Sequence, residues 1–135
     1  MYKKAMLLIF LFLLVACSAK PDFYDKALTG YMDDIKTISL ANDWFNAKKK
    51  EGRVEKDFYD MLLHMKIIIN PSNNRCDKEC FLKLAKLEAT MLLVQNMASN
   101  YNIPFTSKPF YKWKEKVING EDIPLNFFDN ITPAP

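Results

Sequence analysis

The chain has 135 residues, half of them hydrophobic and 13% aromatic, which suits one ordinary domain with a sizeable core. Nineteen basic residues stand against 16 acidic ones, a formal net charge of +3. So small and scattered a surplus gives no electrostatic footprint for nucleic acid, and no nucleic-acid partner is expected.

The chain begins "MYKKAMLLIFLFLLVACSAK". Lys3 and Lys4 precede an unbroken apolar run from Ala5 to Ala16. The run is shorter than the roughly 20 residues of a membrane span. It matches the charged start and apolar stretch of a secretory signal. Its end, Leu14-Val15-Ala16-Cys17, resembles the lipobox of bacterial lipoproteins. That resemblance implies a diacylglycerol thioether on Cys17, removal of residues 1–16 by signal peptidase II, and acylation of the new amino group. Two or three acyl chains hold a protein stably on a membrane, whereas one does not. Ser18 and Ala19 lack the aspartate of inner-membrane retention, so the resemblance implies the outer membrane, periplasmic face. Losing Lys3 and Lys4 leaves 17 basic against 16 acidic residues, a net charge of +1.

Residues 17–21 then form a tether. The four residues Ser18 to Pro21 span at most about 14 Å when extended, which keeps the domain close to the bilayer. The helical domain is expected over residues 22–120 and an irregular tail over 121–135.

Tyr24, Leu28, Tyr31, Ile35, Ile38, Asn42 and Phe45 recur at spacings of three and four, one stripe of a first helix from Asp22 to Gly52. Asp33 and Asp34 fall on its outward face, and Lys48, Lys49 and Lys50 on its last turn, where cations are favoured. A second helix runs from about Val54 to Ile69, closed by Asn70-Pro71. A third is expected from Lys78 to Asn100, with Phe81, Leu84, Leu87, Met91, Val94, Ala98 and Tyr101 inward. Its stretch "TMLLVQNMA" is apolar nearly all round, as in a central helix. A fourth spans Ser107 to Asn119, with Ser107 as cap, Phe110, Trp113 and Val117 inward, and Gly120 as stop. The fold class is therefore an all-α bundle of about four helices.

Chemistry-bearing clusters are few. Cys76 and Cys80 remain as a pair once Cys17 is lipidated, and an exported protein favours a disulfide between them. The bridge requires Cys76 to precede the helix, because two helical positions four apart aim their Cβ atoms poorly. The alternatives are free thiols, or redox or metal chemistry, for which the spacing and ligand number fall short. His64 has no nucleophile beside it in sequence, and the three glycines form no phosphate loop. No enzyme activity, cofactor or metal is expected.

Trp113, Phe127 and Phe128 are the aromatics offered to a partner groove, the other reading being that they fill core. The function expected is a non-enzymatic, protein-binding assembly factor, similar in kind to the small helical pilotin lipoproteins that escort secretion or pilus components. The alternative is an immunity or entry-exclusion lipoprotein that blocks a toxin or conjugation component. In either case the partners are the membrane, through the lipid, and another envelope protein.

Overall fold

A computed structural model describes residues 21–65 and 76–129, and Cys17 with the expected signal lies outside the described residues. Among those described there are five helices: α1 (Asp22–Asp33), α2 (Ile35–Glu51), α3 (Val54–His64), α4 (Lys78–Asn100) and α5 (Lys108–Ile118). The architecture is an all-helical bundle, with one helix more than the sequence pattern suggested.

The extra helix arises at Asp34. The stripe from Tyr24 to Phe45 predicted one continuous helix, but Asp34 is extended (φ −76°, ψ 123°) and its Oδ1 accepts a hydrogen bond from the Lys36 amide at 2.8 Å. A short carboxylate competes with the helical ladder for nearby amides, so Asp34 caps a new helix rather than continuing the old one. The new helix is turned relative to the first. Ile35 is 81% exposed and Asn42 is exposed, while Thr37 and Ala41, outside the expected stripe, are buried beside Phe45.

α2 closes on Gly52 in the left-handed region (φ 69°), with the Gly52 and Arg53 amides returning to the Lys49 and Lys48 carbonyls. α3 ends at His64, earlier than expected, because Met65 is extended with its amide returning to the Leu62 carbonyl; residues 66–69 of the expected run lie outside the described residues. α4 keeps its expected bounds. It is capped by Asp77, whose side chain accepts from the Cys80 amide at 2.9 Å. Ser107 stands at the cap position of α5 but makes no side-chain cap bond; Pro109 in the first turn suits a helix start instead.

α4 is the central element. Its expected inward residues are buried except Tyr101, which lies past the helix and is 58% exposed. Phe23 and Tyr24 of α1 meet Phe81 near the start of α4, while Phe45 near the end of α2 meets Tyr101. α1 and α2 therefore accompany α4 in the same direction. One buried cluster gathers Tyr24, Phe58, Leu62, Leu84, Met91 and Trp113, and a smaller one gathers Ala41, Phe45, Val54, Val94 and Ala98. Among the described residues, no helix is long and apolar enough to cross a membrane.

The described part of the tail, residues 121–129, forms turns, with the Phe127 amide donating to the Pro124 carbonyl at 3.0 Å. It folds back on the bundle. Phe128 is 6% exposed, with its ring centroid 4.8 Å from that of Tyr59.

Candidate functional site

The densest polar chemistry lies inside the bundle. Glu88 sits in the inward stripe of α4, between Leu84 and Met91, where an apolar residue is expected. Its Oε1 accepts from the Tyr24 hydroxyl of α1 at 2.7 Å and from the Lys114 ammonium of α5 at 2.6 Å. Its Oε2 accepts from the Tyr111 hydroxyl at 3.1 Å. The Lys114 ammonium also lies 4.3 Å from the centre of the Tyr24 ring, a cation–π contact. Among the described residues no buried side-chain nitrogen or oxygen lacks a partner.

Burial alone would push the Glu88 carboxyl up, but Lys114 and the Tyr24 and Tyr111 hydroxyls hold it below the ordinary value. Burial and then the neighbouring carboxylate raise Tyr24 far above the usual phenol, and Tyr111 is pushed up to about 12 for the same reasons. At neutral pH the set is therefore an ionised carboxylate held by three donors. The pair is matched in charge, with Glu88, Lys114 and Tyr24 buried and Tyr111 at the exposed edge of the set.

A cleft of about 530 Å³ opens where the α2–α3 corner meets the α4–α5 connection. Arg53, Glu55, Lys56, Tyr59, Ile103 and Phe128 are among its walls. Glu55 accepts from the Thr106 amide at 3.0 Å, and burial raises its carboxyl although that bond opposes the shift. The Tyr59 hydroxyl donates to the Thr106 carbonyl, which ties α3 to the connection. Because α1 starts beside the start of α4, this cleft lies at the opposite end of the bundle from the entry of the chain.

The expected site residues fall in several places. Cys76 and Cys80 form a disulfide, with Cys76 ahead of α4, Cys80 in its first turn and a Cα separation of 5.2 Å. Trp113 is 2% exposed and packs with Phe110 in the core, and Phe128 is likewise buried; neither is open to a partner in this arrangement. The inward spacing of α5 and the Tyr59 ring account for these positions. Phe127 stays half-buried, edge-on to Phe128, with the Lys116 ammonium 5.9 Å from its ring centre. His64 is exposed at the end of α3. Among the described residues, no group of three or more His, Cys, Asp or Glu is placed to hold a metal ion.

Lys48 pairs with Asp57 of α3 at 3.3 Å, and Lys49 lies 3.9 Å from the centre of the Tyr101 ring. Two of the three consecutive lysines thus serve the packing of helix ends. The Glu88 network leaves only a faint mark in the sequence: Glu88 follows Leu87 and Lys114 follows Trp113, next to apolar stripes that continue past both.

Comparison of the chain with protein-family models, with curated proteins and with solved structures finds no match.

Proposed function

We propose that the chain is a lipoprotein held on the periplasmic face of the outer membrane by acyl groups on Cys17, and that it acts there as a non-enzymatic binding factor for another envelope protein. The observation that carries this reading is the run Leu14-Val15-Ala16-Cys17 after a lysine-led apolar stretch, followed within five residues by α1. A second observation supports the non-enzymatic part. The buried acid and base, Glu88 and Lys114, are committed to one another, to the buried Tyr24 and to the exposed Tyr111. An assembly role of the pilotin kind suits a small helical domain on a short tether, where any partner must be met within reach of the bilayer.

Two measurements test the reading. Radioactive palmitate should label the wild-type chain in cells and leave Cys17→Ser unlabelled; persistent label on the variant would remove the anchor. Crosslinking from the anchored protein should then recover an outer-membrane assembly component, and deletion should mislocalise that component. Recovery of a toxin or a conjugation protein instead would replace assembly by blockade.

A further inference from the structure

We propose that the cleft at the α2–α3 corner is a docking groove for an extended segment of a partner protein, one that sets an apolar side chain beside a lysine or arginine. The inference deepens the binding-factor reading above, on which it rests, and takes from it only that the ligand is a protein.

Shape comes first. At about 530 Å³ the cleft falls within the size range of sites that bury a ligand. It is formed without a partner: Glu55 and Tyr59 of α3 both hold the backbone of Thr106, and Phe128 packs on Tyr59. A groove built in advance carries little ordering cost when a segment arrives. Tyr59, Ile103, Pro104 and Phe128 give it apolar walls. Its place, at the end of the bundle opposite the start of α1, turns it away from any anchor at the chain's entry.

Charge then selects the occupant. Arg53 stands at the wall but pairs with Asp57 at 3.1 Å, and Asp57 also takes Lys48 at 3.3 Å, so that cation is already answered. What remains on the walls is one ammonium, Lys56, against the three carboxylates of Glu55, Asp60 and Asp129. Glu55 accepts from the Thr106 amide, whereas Asp60 and Asp129 make no ion pair or side-chain hydrogen bond among the described residues. In a chain of net positive charge the cleft is thus a negative place, which favours a cationic segment and repels an anionic one. The main chain supplies a third match. α3 begins without a side-chain cap, and its first residues, Val54 to Lys56, line the same cleft. Their amides lack intrahelical acceptors and suit the carbonyls of an extended peptide rather than a simple organic cation.

Selection from a phage-displayed library of random heptapeptides, on the full chain in detergent micelles, tests the groove. Enriched peptides should set an aliphatic or aromatic residue beside lysine or arginine, and Asp60→Lys with Asp129→Lys should weaken them about tenfold or more. Asp60 is half-buried and Asp129 exposed, so the pair should fold. Asp33→Lys with Asp43→Lys makes the same charge change at exposed positions outside the cleft and should bind as the wild type does. Enrichment of acidic peptides, no enrichment, or equal loss in both pairs would overturn the groove. Enrichment only after removal of residues 130–135, or self-association abolished by the cleft pair, would overturn it too, by giving the cleft to that segment or to a second copy. The broader reading is separable. An envelope protein crosslinked equally by the wild type and the cleft pair would keep that reading and remove the groove. Enriched peptides with no crosslinked envelope protein would fault the envelope partner and keep the groove.

Discussion

Glu88 of α4 and Lys114 of α5 form an ion pair at 2.6 Å with side chains only 8% and 10% exposed, in the middle of a core otherwise built from aromatic and aliphatic groups. Such a pair costs desolvation, and its net contribution depends on every remaining lone pair and proton finding a partner. Here the two tyrosines complete it.

Breaking the pair from one side should therefore hurt more than removing it whole. Lys114→Met leaves a buried carboxylate without its counter-charge and is expected to lower unfolding stability by about 3 kcal/mol. Glu88→Leu with Lys114→Met should cost less than either single change. Urea midpoints of the three variants check this through a double-mutant cycle.

The helix pattern made most of the fold legible, since Lys78 to Asn100 and the inward faces of α4 and α5 follow directly from apolar spacing. Asp34 did not, because the Tyr24–Phe45 stripe is compatible with an uninterrupted helix. Only the local competition between a carboxylate and the backbone reveals the break. The Glu88 network was barely legible. Glu88 and Lys114 stand among other charged residues of their helices, so nothing local singles them out, and only tertiary packing brings α1, α4 and α5 to one point. The cleft was not legible at all, as its walls come from residues far apart in the chain, such as Glu55 and Ile103.

Acid should act on the buried Glu88 and the half-buried Glu55 with opposite signs. Glu88 has a folded value below that of the unfolded chain. Its contribution is complete above the unfolded value, near 4.3, and is lost as pH falls through the folded one. Glu55 has a raised folded value, so its contribution is complete at low pH and declines as pH rises through that value. Urea midpoints from about pH 3 to about pH 7 should show Glu88→Gln losing the acid-side slope. Glu55→Gln, which keeps an acceptor for Thr106, should gain on the wild type toward neutral pH.

The tail should matter through one ring. Phe128→Ala removes a buried side chain whose ring packs at a tilt against Tyr59 and is expected to cost about 3 kcal/mol. Phe127→Ala, at a half-buried position, should cost well under half as much. Thermal unfolding of the two variants checks the order; equal effects would show that the tail does not seat as described.

Reduction should loosen the entrance of α4. The Cys76–Cys80 bridge closes a short loop around the capping Asp77, so its loss is expected to cost about 2 kcal/mol. Melting with and without a thiol reductant measures it. Alkylation under native, unreduced conditions should add no mass at either cysteine.

The joint at Asp34 also sets a rule for how the chain can vary. Each residue added to a helix turns everything beyond it by about 100°, so an insertion inside α1 or α2 swings Tyr24 or Phe45 away from its seat on α4. At the joint itself the backbone is extended and the regular ladder is broken, and the two helices meet α4 by separate alignments, near Phe81 and near Tyr101. Asp34 thus works as an expansion gap between two rigid rods, the place where a homologue could gain or lose a residue without unseating either one.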